Sequence, residues 1–265
     1  EGRRHYDLAM PGLVERDFRS AREFVTPRTL ALALRLRALQ PHYRHMAEFF
    51  ASPRLRAAFS FQDVYMGLSP FRAPATFSLT PYSELAHGVW YPRGGMRRIV
   101  EVLVALAEEA GVRFAYDEPV VRIDLEGERA SGLVLSGGRA LRADAVLANA
   151  DLPYVYRRLL PDRRASSALA RRRSSGSAIS FFWGLDATFP QLAPHTLFLA
   201  DDYRDNFERI ERNLPLPAAP SLYVHAPARL DPTAAPAGGD TVVAVVPPGH
   251  LTYDGDDPRR VADQG

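Results

Sequence analysis

Two short stretches of this 265-residue sequence combine residue types at spacings that could do chemistry. The first is Trp90-Tyr91-Pro92-Arg93-Gly94-Gly95-Met96. Pro92 fixes the backbone on approach, and a glycine pair lets another group come close to the main chain. The residues after it read as a helix, so free N–H groups at its start could accept a bound anion or oxygen. The same residues also make a plain tight turn. The second stretch is His42-x-x-His45-x-x-Glu48, three potential metal ligands at helical spacing. No second carboxylate–histidine motif completes a site, so no metal is expected, and the expectation is a helix on a surface or facing lipid headgroups. Other chemistries are excluded by residue type. Cysteine is absent, which removes thiol catalysis, thiolate metal sites and disulfides. No G-x-S-x-G occurs, since Gly67-Leu-Ser69-Pro-Phe71 lacks the second glycine. Neither a P-loop nor a G-x-G-x-x-G is present.

The elements that must carry these residues fall into three zones. Residues 1–90 read as mostly helical. Pro27 opens a helix whose Leu30, Leu32, Leu34, Leu36 and Leu39 surround most of its circumference, so it is buried or faces something apolar. His42 to Phe50 continues helically, and Pro53 opens a further short helix. Gly67 to Tyr82 dissolves into Pro, Ser, Phe and Thr, an aromatic stretch suited to lining a cavity. Residues 91–160 open with an amphipathic helix from Met96 to Ala110, stopped by Gly111. β-rich runs follow at 112–116, 120–124, 130–135, 139–141 and 143–148, then a helix from Pro153 to Leu160. That order suits a parallel sheet with an inserted antiparallel meander. Residues 161–265 show strands at 177–185, 196–200, 221–225 and 241–246, with a helix over 203–213.

Composition sets the outer bounds. A hydrophobic share of 46% and a charged share of 24% indicate a globular chain able to bury a core. All 33 basic residues are Arg, and the net charge of +2 is too small to imply a nucleic-acid partner. Residues 157–173 nevertheless hold seven Arg (157, 158, 163, 164, 171, 172, 173) against Asp162 alone. Flanking serines suit a solvated loop, and the alternative is contact with anionic lipid headgroups.

The order of motifs resembles a known family. Gly88-Val-Trp-Tyr-Pro-Arg-Gly-Gly-Met96 is similar to the corresponding segment of bacterial carotenoid desaturases of the phytoene desaturase type, within the flavin-dependent amine-oxidase-like superfamily. So are Leu55-Arg-x-Ala-Phe-Ser-Phe61, Glu108-Glu-Ala-Gly-Val112, Val120-x-x-Ile123, Ala143-Asp-Ala-Val-x-Ala-Asn-Ala-Asp151, Leu192-Ala-x-His195-Thr196, Ser221-Leu-Tyr-Val-His225-Ala-Pro227 with Asp231-Pro232, and Ala235-Pro236-x-Gly238. They run in family order over roughly residues 40 to 251. The resemblance implies a mixed α/β chain: part of a Rossmann-like FAD-binding domain over 91–160, with substrate-binding regions over 1–90 and 161–265. It implies FAD as cofactor, hydride transfer from a long polyene to the flavin, a quinone or oxygen as final electron acceptor, and a cytoplasmic enzyme peripheral to the membrane. Gly94 and Gly95 would lie by the flavin ring. Val120 would pass the adenine, and Ala148, Asn149 and Asp151 would approach the cofactor at a strand end. Arg28 and His195 are the polar groups to test for catalysis. A carotenoid cis–trans isomerase and a non-catalytic lipid- or protein-binding relative are the alternatives. The family's G-x-G-x-x-G and its terminal flavin segment are missing, so the sequence reads as the middle of a chain nearly twice as long. Taken alone, such a piece is expected to bind FAD weakly or not at all and to be inactive.

Overall fold

A computed structural model of the chain describes residues 1–160, 162–172 and 175–249. Its helices are α1 (Gly2–Ala9), α2 (Ala21–Phe24), α3 (Pro27–Arg35), α4 (His42–Met46), α5 (Pro53–Ala58), α6 (Leu79–His87), α7 (Arg97–Glu109), α8 (Leu152–Tyr154), α9 (Arg163–Ala170) and α10 (Tyr203–Glu211). Its strands are β1 (Val120–Glu126), β2 (Arg129–Leu135), β3 (Ala140–Arg142), β4 (Ile179–Leu185), β5 (His195–Phe198), β6 (Leu222–His225) and β7 (Asp240–Val246). Among the described residues no helix is long and apolar enough to cross a membrane. The mixed α/β class expected from the sequence holds.

The chain forms two compact units. Among the described residues, one joins 1–101 with 175–249, and the other holds 102–172. The helical first zone and the sheet of the third zone thus fold together. In the second unit β1, β2 and β3 make an antiparallel meander. Ile123 of β1 packs with Val155 and Leu159, which follow α8. The runs 112–116 and 143–148, expected as strands, carry no ladder among the described residues. Their composition favours extended backbone, but a strand also needs a neighbour to pair with. The expected loop at 157–173 is corrected too. Asp162 caps α9, accepting from the N–H groups of Arg164 at 2.8 Å and Ala165 at 3.0 Å.

The first unit is built on a four-stranded antiparallel sheet in the order β4-β7-β6-β5. Side chains alternate across it. Val224, Val242 and Ala244 are buried on one face with Leu185, Leu192 and Leu222. On the other face Leu197 and Tyr223 pack against Ala57, Phe61, Tyr203, Phe207 and Ile210, so α5 and α10 cover that side. In α3, Thr26 and Thr29 form a reciprocal cap, with N–H to Oγ1 distances of 3.2 and 2.9 Å. Leu36 is buried, whereas Leu30, Leu34 and Leu39 are exposed. The aromatic stretch expected to be irregular turns helical at Leu79, because Pro81 falls in the first turn of α6, where its missing N–H costs nothing.

The surface-facing helix expected at 42–50 is replaced by a buried one. α4 ends at Met46, and His42 and His45 are both fully buried. His42 Nδ1 lies 3.0 Å from each carboxylate oxygen of Asp63, itself buried. Glu48 lies past the helix end and accepts from Arg37 at 2.8 Å and Gln40 at 2.8 Å. The His-x-x-His-x-x-Glu spacing therefore does not bring its three members to one point.

Buried His5 and His45 give stability a pH dependence. Burial is the main cause that holds both imidazoles below their ordinary 6.5. Below about 6.5 the unfolded chain takes up protons there and the folded chain does not, so acid favours unfolding. Each contributes stability that is present in full above about 6.5 and is lost as pH falls toward the folded value, with a slope of up to about 1.4 kcal/mol per pH unit over that window. Asp63, raised mainly by burial, works in the opposite sense above about 3.8 and offsets part of this. The melting temperature is expected to drop between pH 7.5 and 5.5, and His45→Gln should flatten the profile. An unchanged melting temperature over that range would contradict this.

Candidate functional site

The sheet places two rows of side chains on the face toward α5 and α10. Register puts His195, His225, Val243 and Phe182 in one row, and Leu197, Tyr223, Val245 and Ser180 in the next. The polar residues gather at the β5–β6 edge. His195 Nδ1 lies 2.6 Å from the Tyr223 hydroxyl, and the His195 and His225 rings stack at 5.0 Å. His225 Nδ1–H donates to the Pro194 carbonyl at 2.8 Å, which fixes its tautomer. Val243 and Val245 continue the face as apolar floor, and Phe182 stands 75% exposed at its far side.

The glycine turn meets this edge. The Tyr91 ring lies 5.4 Å from the His225 ring. Gly94 and Gly95 have φ of 83° and 88°, the left-handed region that glycine enters without strain. The Gly94 N–H donates to Asp231 Oδ2 at 2.6 Å, and Asp231 Oδ1 accepts from the Thr233 N–H at 3.0 Å and its hydroxyl at 2.7 Å. The Gly94 bond is the main cause that holds the Asp231 carboxyl below the usual range. Two motifs 137 residues apart are thus locked together, and α7 begins directly after the turn.

A second acidic group completes the cluster. Glu84 on α6 accepts from Gln62 at 3.1 Å, yet burial raises its carboxyl. Desolvation and the nearby Glu84 charge push the Tyr65 phenol up to about 12 and raise Tyr223 as well. Partial burial, then the His225 charge, lower His195. Neutral imidazole beside neutral phenol is therefore the resting state near pH 7. Such a pair can accept or relay a proton beside an apolar floor.

The structure brings His195, Gly94 and Gly95 of the expected residues into one unit, joined through Tyr91 and His225. Arg28 is exposed in the first turn of α3 and has no contact with this cluster among the described residues. Val120 sits in β1, paired with Leu135, in the other unit. Ala148, Asn149 and Asp151 are exposed in that unit, and the Asp151 carbonyl accepts from the Val155 N–H at 2.9 Å as the chain enters α8. Sequence reasoning gave no role to Glu84, Tyr65, Tyr91, Tyr223, His225 or Asp231. Two signals were there to read: Glu84 is the one acidic residue between Gly67 and His87, and Tyr223 and His225 sit two apart in a strand, hence on one face.

The phytoene desaturase of Fusarium fujikuroi is 40% identical over 262 residues, covering 98% of this chain and 46% of that protein. The zeta-carotene-forming phytoene desaturase of Myxococcus xanthus is 39% identical over 251 residues, covering 94% of this chain and 48% of that one. The resemblance noted in the sequence thus extends to fungal as well as bacterial proteins, and the chain spans a little under half the length of these relatives. An oxidoreductase structure from Methanosarcina mazei shares the fold, with a TM-score of 0.57 at 17% identity over 92% of this chain and 56% of that one. With a family model matched over residues 3–262, the chain belongs to the flavin containing amine oxidoreductases.

Proposed function

We propose that this chain is the substrate-handling part of an FAD-dependent carotenoid desaturase that introduces conjugated double bonds into a long polyene. The observation that carries this is the half-open sheet face, apolar along Val243, Val245 and Phe182 and bounded at one edge by His195, His225 and Tyr223. A polyene offers no polar handle, so its binding rests on apolar area with few polar groups at the reacting end. The names of the 40%-identical relatives support this substrate class.

Membership of a flavin family implies a flavin, and the glycine turn fits one. A side chain on Gly94 would crowd Arg98 at 3.2 Å, so glycine keeps the turn close-packed, and among the described residues the N–H groups of Met96 and Arg97 have no acceptor at the start of α7. Gly94 itself is committed to Asp231, so its role is to hold the turn. When bound, the flavin supplies the hydride acceptor. His195 serves as proton acceptor in the tautomer whose Nδ1–H donates to Tyr223, which leaves the Nε2 lone pair free. A quinone or oxygen as final electron acceptor belongs to the same proposal.

The test is expression of the complete protein in a phytoene-making host. Coloured polyenes with added double bonds are expected. Altered geometry at an unchanged oxidation level would favour the isomerase, and unchanged phytoene would overturn both.

The proposal also places the protein at the cytoplasmic membrane surface. Support comes from the exposed Leu30, Leu34 and Leu39 near α3 and from Arg163, Arg164, Arg171 and Arg172 on and beside α9. The complete protein is expected to sediment with anionic liposomes. Replacing those four Arg by Gln should weaken binding by up to about a thousandfold, taking about 1 kcal/mol per Arg. Unchanged binding would assign the Arg residues to a solvated helix.

A further inference from the structure

Glu1, His5 and His45 converge away from the sheet face. One ligand atom from each lies within 4.8 Å of the other two. Both imidazoles are fully buried, and Glu1 opens the group toward solvent.

The tautomer of His5 follows from its neighbours. Its Nδ1 lies 3.1 Å from the Ala75 carbonyl, which can only accept, so Nδ1 carries the hydrogen. The Ser78 hydroxyl oxygen at 2.7 Å shares it. Nε2 is then a bare lone pair, and it faces Glu1 Oε1 at 3.4 Å. Two acceptors face each other with no hydrogen between them. Both nitrogens of His45, stacked on His5 at 5.7 Å, also lack a hydrogen-bond partner among the described residues. Buried polar atoms ordinarily find partners, and two bare lone pairs, on His5 Nε2 and on the unprotonated nitrogen of neutral His45, call for something positive.

We infer that Glu1, His5 and His45 form a site for a divalent transition cation of the zinc class. An Nδ1–H held by a backbone carbonyl with Nε2 turned to the metal is how histidine ligands are oriented. At bond lengths of about 2.0–2.1 Å, neighbouring ligand atoms of a tetrahedral zinc lie about 3.3 Å apart, close to the Glu1–His5 separation. His45 needs to shift by at most about 1.5 Å to complete the set. Two imidazoles and one carboxylate suit zinc better than magnesium or calcium, which take oxygen ligands. Arg4 contacts Glu1 at 3.1 Å and Arg37 lies 3.7 Å from it, so the cation displaces an exposed Arg4 contact that contributes little. Glu48 Oε1 lies 3.7 Å from His45 Nδ1 but is held by Arg37 and Gln40, which leaves the fourth position to water.

The test uses the complete, untagged protein after dialysis against a chelator, titrated with Zn²⁺ by calorimetry and with Co²⁺ by visible absorption. One equivalent is expected to bind, with ligand-field bands of a low-symmetry four-coordinate ion. Glu1→Gln, at the solvent edge and compatible with folding, should weaken binding at least about tenfold. Arg4→Gln should tighten it, and His45→Gln should abolish the bands. Absence of saturable binding, or binding unmoved by both Glu1→Gln and Arg4→Gln, would overturn the site. Neither readout depends on flavin or carotenoid chemistry.

Discussion

Replacing Asp63 with alanine is expected to destabilise the protein by about 3–5 kcal/mol, a large share of a typical folding free energy. Asp63 and His42 are fully buried side chains 3.0 Å apart, and each is the other's partner. Removing the carboxylate strands the imidazole Nδ1 without an acceptor, in addition to opening a small cavity. Asp63→Asn keeps an amide oxygen to accept from Nδ1–H, so its cost should be about 1–2 kcal/mol. A joint His42→Phe and Asp63→Leu variant should recover most of the loss, since apolar pairs often replace buried ionic ones without penalty. Urea unfolding followed by circular dichroism checks all three. An alanine variant within about 1 kcal/mol of the parent would show that water solvates the pair. The effect reaches the site, because Asp63 lies between Phe61 and Val64, which pack in the cluster that supports Tyr223.

Loss of the His195 imidazole should lower desaturation by about 10²–10⁴-fold, the usual contribution of a positioned general base. His195→Ala removes the neutral acceptor beside the apolar floor. Tyr223→Phe removes only its orienting partner at 2.6 Å and should cost about tenfold. The pH profile separates a proton acceptor from a packing residue. The rate should hold as pH falls below 6.5 and drop only below the lowered value of His195, because the base must stay neutral. In Tyr223→Phe that drop should move, while the folded structure is unchanged. Single-turnover reduction of the flavin by phytoene in the complete protein measures the step. A His195→Ala enzyme with full activity would assign proton removal to Glu84 or to solvent.

The sequence by itself determined most elements and the family. Proline and glycine bound α3, α5 and α7 because their backbone limits are local. The β-rich composition of β1, β2, β4 and β7 is legible for the same reason. Spacing alone misled where a tertiary partner decides. The runs 112–116 and 143–148 have strand composition but no ladder among the described residues. His42, His45 and Glu48 share a helical spacing, yet α4 stops after Met46, His42 turns to Asp63 and Glu48 to Arg37 and Gln40. Only the folded chain brings Asp231 onto Gly94 and sets Glu84 against Tyr223. Those pairings join positions far apart in the chain, and the energy that selects them comes from burying specific polar groups together. No local rule contains that term, because a buried hydrogen bond is defined by the atoms that exclude water around it.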